Sequence, residues 1–304
     1  MATALSAPES PAPEVPRIYR IEAWIAVCAI RILRLLPLDW ASALGGGLAR
    51  AVGPRFAISR RARLHLKSAM PELSEDEVTR IVRGMWDNLG RVAFEFPHVA
   101  RIDVFAPNGR VEVRGFDHVT RALAAGRGII FFSGHIGNWE LNALALGQHG
   151  VDVAIMYRAA NNPLIDQIVA RLRDGYGGGE LIPKGDTASR RVMARLRRGA
   201  HVGMLVDQKL NNGIAVPFFG RDAMTAPALA VMALRMDCDV LPMRVERLGG
   251  ARFRLTVYPR LELPDSGDRE ADTLAVMTEV NRTLENWIRE RPDQWFWLHR
   301  RWPD

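Results

Sequence analysis

From Asp117 onward the chain alternates short apolar runs with longer stretches of helical period, and that alternation leaves few folds open. Residues 128–133 (GIIFFS), 151–157 (VDVAIMY) and 201–206 (HVGMLV) are too short for independent helices and largely apolar on both faces, as expected of strands buried on both sides. Between and after them, residues 138–148, 163–173 and 187–198 carry helical patterns, the last preceded by Gly185-Asp186 and closed by Gly199. No linker interrupts this order, which predicts an α/β domain with a mainly parallel sheet flanked by helices. Residues 240–245 and 253–258 flank Leu248-Gly249-Gly250 and predict a hairpin near one sheet edge. A final helix over 272–289 leads into Trp295, Phe296, Trp297 and Trp302.

The beginning of the chain has a different character. Residues 1–16, rich in Ala, Pro, Ser and Glu, read as a flexible tail, and their lack of a basic start argues against a secretory signal peptide. On that reading the chain stays on the cytoplasmic side. Residues 18–38 turn strongly apolar, but Arg31 and Arg34 interrupt the run and Pro37 closes it. A spanning helix needs about 20 mostly apolar residues. This shorter run, with two arginines three apart on one face, predicts a helix lying in a membrane interface; the alternative is a core helix with snorkelling arginines. Up to Lys67 there are ten Lys and Arg against four Asp and Glu, so six of the chain's seven excess positive charges lie there. Such an excess, interleaved with apolar side chains, suits an anionic membrane surface, and nucleic acid is disfavoured because no reader motif is present. Residues 17–67 are expected to form a basic, apolar docking segment, continuous with the main domain over 68–304.

The strongest chemical signal is 131–140 (FFSGHIGNWE), where a buried strand ends in a glycine-bracketed turn and a helix begins. In open α/β sheets ligands bind beyond the carboxyl ends of strands, which is where His135 stands. His135 and Glu140 are five apart, about 140° around a regular helix, and do not meet if both are helical. They can meet if His135 lies in the preceding turn, with Gly134 and Gly137 supplying backbone freedom. Glu140 would then fix the imidazole tautomer and leave the other nitrogen as a base.

The H-x4-E spacing after an apolar strand resembles the H-x4-D/E motif of the glycerolipid acyltransferase superfamily, and most of the chain resembles its branch that adds late acyl chains to the lipid A precursor. The further stretches that carry the resemblance are 157–163 (YRAANNP), 206–208 (VDQ), 216–220 (VPFFG) with Thr225, and Trp297 with 299–302 (HRRW). Each is weak alone; their order and spacing together are specific. The resemblance implies the same sheet-and-helix fold. It also implies O-acyl transfer from an acyl thioester to a hydroxyl of an anionic glycolipid, a lipid A precursor, at the cytoplasmic face of a bacterial inner membrane. Acyl carrier protein is the expected donor and partner, ahead of coenzyme A.

Carried onto these positions, the resemblance makes His135 the general base and Glu140 the group that orients and stabilises its imidazolium. Arg158 matches the family's arginine motif and is expected to clamp a phosphate or an oxyanion, or else to cap the sheet. Asn161 belongs to the same stretch or caps the helix that follows. Asp207 and Gln208 end another strand on the same side and could order Arg158, although a buried Asp in a turn would look the same. Phe218 and Phe219 either line an acyl-chain groove or pack in the core.

Other chemistries find little support. The chain has no H-E-x-x-H, no His/Cys cluster, no G-x-x-x-x-G-K-[ST] and no G-x-G-x-x-G, so no metal or cofactor is expected beyond the thioester co-substrate. Ser133 lacks the G-x-S-x-G elbow of a hydrolase nucleophile. Two rivals stay open: the same chemistry on another glycolipid such as a phosphatidylinositol mannoside, and a non-catalytic membrane-binding module.

Overall fold

A computed structural model of the chain describes residues 15–185 and 187–302; the tail reading of residues 1–16 falls almost wholly outside them, and so does Asp186. The architecture is α/β. Seven strands form one sheet in the order β1 (Val111–Arg114), β9 (Arg252–Val257), β8 (Asp239–Gly249), β2 (Ile129–Ser133), β5 (His201–Leu205), β3 (Val153–Tyr157), β4 (Leu181–Pro183). Every neighbouring pair is parallel except β8 with β9, the hairpin expected near the edge. A separate antiparallel pair, β6 (Lys209–Phe218) with β7 (Arg221–Thr225), was not expected from the sequence.

Period-two alternation along the central strands divides the core into two layers. Ile130, Phe132, Val202, Met204 and Val240 face one layer, which is filled by α3 (Ile58–Ala69), α4 (Glu75–Glu95), α8 (Ala188–Leu196), α9 (Ala228–Met236) and α10 (Arg269–Glu290). Ile129, Phe131, Val153, Leu241 and Met243 face the other, covered by α5 (Asp117–Ala124), α6 (Glu140–Gln148) and the short turn Asp174–Tyr176. Helix α7 (Pro163–Arg173) joins this second side but buries no residue completely.

From Arg17 to Arg101 the described chain is helical apart from short connections. Helix α1 (Arg17–Leu35) has no buried residue, which rules out a core helix; Trp24 is 68% and Leu35 84% exposed. It is nevertheless pinned to the body: Arg34 Nε–H donates to Pro97 O at 3.2 Å, and Asn162 Nδ2–H donates to Tyr19 O at 3.0 Å and to the Glu22 carboxylate at 2.9 Å. Helix α2 (Leu38–Val52) packs along α4 where Gly45 and Gly90 let the backbones touch; a Cβ on Gly45 would lie 2.4 Å from Gly90 O. Its opposite face carries Trp40, Leu44, Leu48 and Val52, four apart and all exposed, so α2, like α1, presents apolar side chains to solvent. Helix α4 starts with a capping box, the Ser74 hydroxyl accepting the Glu77 N–H and the Glu77 carboxylate accepting the Ser74 N–H. The fall in positive charge at Lys67 lies inside α3, whose Ala62 and Leu66 are part of the main core. Among the described residues no helix is long and apolar enough to cross a membrane.

Candidate active site

Strands β2 and β5 are parallel neighbours, with Ser133 beside Leu205. Two residues further along each chain come His135 and Asp207, so parallel registry carries the two side chains out of the sheet together. His135 Nδ1 lies 2.7 Å from Asp207 Oδ1; the His135 backbone N–H and the Trp295 Nε1–H both donate to Asp207 Oδ2 at 2.8 Å. Asp207 is fully buried. Burial alone would raise its pKa, but the charge and hydrogen bonds of His135 outweigh it and hold the carboxyl well below the usual carboxylate range. An ionised acceptor at Nδ1 places the proton on that nitrogen and leaves Nε2 as the basic one.

The turn itself is fixed from three sides. Gly137 has φ +58°, and a Cβ there would sit 2.2 Å from Val245 O, so only glycine fits. Its N–H donates to Gln294 O and the Phe296 N–H donates to His135 O, both at 3.2 Å, so the C-terminal segment pairs with the turn like a short strand. Asn88 Nδ2–H donates to Gly137 O at 3.0 Å from within α4. The Trp139 and Phe296 rings flank the imidazole, at 5.0 Å and 6.2 Å between centroids.

Glu140 does not partner His135. It is the first residue of α6, and its buried carboxylate accepts Arg173 Nη2–H at 2.7 Å, Arg173 Nε–H at 3.0 Å and the Tyr176 hydroxyl at 3.1 Å. The sequence reading had the right geometry for the turn and the wrong acid for the imidazole. The helix start turns Glu140 toward the end of α7, while Asp207, 72 residues distant from His135 in sequence, arrives from the adjacent strand. Glu140 thus joins α6 to α7, and desolvation of Arg173 is offset by this bidentate pair, which raises its pKa.

Between these two helices and the sheet lies a cavity of about 340 Å³, the size of a small-molecule site. Its walls are mostly apolar, with Phe131, Leu146, Ile155, Val169, Leu181 and Met243 among them, but Glu140, Arg173 and Lys184 also line it, and Gly203 leaves space above β5 that a side chain would fill. His135 lines the cavity, and no described residue hydrogen-bonds its Nε2.

The remaining candidates separate into two groups. Arg158, exposed directly after β3, and Gln208 both line the cavity. The oxygens of Asp207 are taken by His135 and Trp295, so the suggested contact with Arg158 is not formed. Asn161 is exposed and outside the cavity; the cap of α7 is its neighbour Asn162, whose Oδ1 accepts the Leu164 N–H at 3.0 Å. Phe218 and Phe219 are buried in the other core layer, where Phe218 stacks on Trp302 at 5.5 Å and meets Trp295 edge-on at 5.9 Å, so they are core residues and line no groove. Arg301 belongs to that packing, donating to Thr225 Oγ1 and Asn281 Oδ1. The aromatic C-terminal segment reaches the site through Trp295 on Asp207 and Phe296 beside His135, not through Phe218 and Phe219. Ser133 accepts Asn142 Nδ2–H at 3.2 Å and makes no hydrogen bond to His135, which removes the Ser-His couple a hydrolase would need.

Known proteins resemble this chain over nearly its whole length. The family model described as bacterial lipid A biosynthesis acyltransferase matches residues 8–304. A lipid A biosynthesis acyltransferase of Haemophilus influenzae is 24% identical over 282 residues, covering 90% of this chain and 85% of that protein. A lipid A biosynthesis lauroyltransferase of Escherichia coli is 28% identical over 291 residues, covering 91% and 90%. A phosphatidylinositol mannoside acyltransferase of Mycobacterium tuberculosis is 27% identical over 288 residues, covering 87% and 88%.

Proposed function

Because the chain belongs to the bacterial lipid A biosynthesis acyltransferase family, we propose that it moves a fatty acyl group from an acyl carrier protein thioester to a hydroxyl of a lipid A precursor. The observation that carries this reading is His135, held through Nδ1 by a buried ionised Asp207 at the mouth of a mostly apolar cavity. Nε2 of His135 takes the proton of the acceptor hydroxyl as its oxygen attacks the thioester carbonyl. The tetrahedral adduct carries negative charge on the former carbonyl oxygen, for which Arg158 is the nearby permanent cation. Collapse expels the thiolate, which recovers the proton from the imidazolium; ester and free thiol leave. No covalent enzyme intermediate is needed. The cavity takes the acyl chain, each buried methylene contributing about 0.8 kcal/mol.

Purified protein, labelled acyl carrier protein and a panel of acceptors test this directly. The acceptors are a lipid A precursor, a phosphatidylinositol mannoside and a simple lysophospholipid, with products read by mass spectrometry. Acylation of the lipid A precursor is expected. Transfer only to the mannoside would change the acceptor and keep the chemistry. No transfer from acyl carrier protein or coenzyme A thioesters would leave the chain a membrane-binding module.

In the same proposal the reaction takes place at the cytoplasmic face of the inner membrane, with α1 and α2 as the docking surface. The exposed apolar side chains of the two helices, among them Trp24, Ile25, Trp40, Leu44 and Leu48, are costly in water and favourable in the interface. Arginines on the same helices add roughly 1 kcal/mol each near anionic headgroups, and salt screens only that part. Binding to anionic vesicles is therefore expected to weaken with rising salt and to persist. The doubly substituted Trp40→Glu, Leu44→Glu protein should lose most vesicle binding while remaining folded by circular dichroism; wild-type binding by that folded variant would remove α2 from the docking surface.

A further inference from the structure

Two cations line the acyl cavity side by side. Strands β3 and β4 are parallel neighbours, with Tyr157 beside Pro183, and the Lys184 N–H donates to Tyr157 O at 2.8 Å. Arg158 and Lys184 come next along each strand, so registry sends both side chains out of the sheet end together, and both line the cavity. Both are exposed, and neither side chain makes a hydrogen bond or ion pair with a described residue. Arg173 in the same cavity is by contrast held by Glu140. Of the other acids on the walls, Asp166 accepts from Tyr157 and Ala160, and Asp174 pairs with neither cation. Gln208, beyond the end of β5 on the other side of β3, also lines the cavity with its amide unpaired.

Two like charges set together repel. Desolvation lowers the pKa of Lys184, the buried charge of Asp207 opposes this, and the like charge of Arg158 adds to it. An anion between the two cations turns that repulsion into attraction. An ammonium, a planar guanidinium and an amide suit the several oxygens of a phosphate. Position separates this spot from the reacting atoms. The sheet order β2, β5, β3, β4 sets Arg158 two strands and Lys184 three strands from His135, about 10 Å and about 14 Å at the usual strand spacing. A group held by Lys184 therefore anchors a substrate and takes no part in the bond changes.

We propose that Lys184, with Arg158 beside it, binds a phosphate group of one of the two substrates, carried by the acceptor glycolipid or by the pantetheine arm of the thioester donor. This rests on the acyl-transfer reading and adds a specificity residue to it. The full-length protein is assayed with the dodecanoyl thioester of acyl carrier protein and two acceptors, a lipid A precursor and its dephosphorylated form. In a second arm dodecanoyl-phosphopantetheine and dodecanoyl-pantetheine compete with the carrier protein donor, read as inhibition constants. Wild type is expected to favour the phosphate-bearing member of one pair by roughly 10-fold or more, the scale of a charge-assisted hydrogen bond. In Lys184→Gln that preference should fall about 10-fold, and for an acceptor phosphate the fall belongs in KM and not in kcat. Lys184→Arg keeps the charge and should recover most of it. The arm that shows the loss identifies the substrate that carries the phosphate. Wild type with no preference in either arm overturns the subsite and leaves acyl transfer standing. A preference unchanged in Lys184→Gln, folded by circular dichroism, overturns the assignment to Lys184, and so does an equal loss for both members of a pair. No transfer from the carrier protein donor to either acceptor overturns the subsite and the acyl-transfer reading together.

Discussion

His135→Ala is expected to lower kcat by at least about 10²-fold with the fold retained, the range lost when a general base is removed. The ring is partly exposed and flanked by Trp139 and Phe296, so its loss opens space at the cavity mouth and leaves the core layers intact. Substrate binding should change little, because the acyl chain is held by the cavity walls; the deficit belongs in kcat and not in KM. Single-turnover assays with preloaded acyl donor read this directly, and circular dichroism checks the fold. A variant turning over within about threefold of wild type would remove His135 from the chemistry, since a base that matters cannot be replaced by a methyl group.

The turn around His135 was legible because several local signals coincide there: an apolar strand, two glycines and a polar residue where strand ends gather. The partner of His135 was not. Glu140 is near in sequence and Asp207 is far, and only the adjacency of β2 and β5 shows that residues two beyond Ser133 and Leu205 emerge side by side. Strand order is set by which crossovers pack, and a single sequence does not state it. Asp207 was recognisable as a site residue from its place after a buried strand, while its role waited on that order. The same limit explains Phe218 and Phe219. An apolar turn looks alike whether it lines a groove or fills a core, and here β6 and β7 lie against α10 and the tryptophans of the C-terminus.

Local rules also explain what was missed in the N-terminal third. The run Gly45-Gly46-Gly47 reads as a helix breaker, yet Gly45 and Gly46 are what permit α2 to lie against α4, so tertiary contact outweighs low propensity. Helix α4 begins at a local signal, Ser74 with Glu77 three residues on, that the sequence reading of this region did not draw on. On the far side of the cavity, the structure joins two features that sequence kept apart: Asn162, the cap of α7, also holds α1. Helix α7 forms a cavity wall through Val169 and Arg173, so the proposed membrane-docking helix and the acyl site share one support.

Asp207→Asn is expected to cost more than any other isosteric change in the site, about 10² to 10⁴ in kcat, and the reason is a tautomer. Asp207 Oδ2 accepts two backbone or indole N–H groups, from His135 and Trp295. An asparagine must place its carbonyl oxygen there, because its NH₂ cannot accept from two donors. The NH₂ then faces His135 Nδ1 and donates to it, which drives the imidazole proton onto Nε2. A protonated Nε2 cannot take a proton from the acceptor hydroxyl, so the base is lost with its geometry intact. The variant has no carboxyl at this position to ionise, and raising the pH leaves a neutral imidazole with its proton still on Nε2, so a change of pH does not restore the base. Glu140→Gln is the control. It weakens the tie to Arg173 and Tyr176 without touching the His135 tautomer, so its loss should be the smaller one. Measured kcat for the two folded variants decides between the acids: near-normal turnover in Asp207→Asn together with collapse in Glu140→Gln would return the imidazole partnership to Glu140.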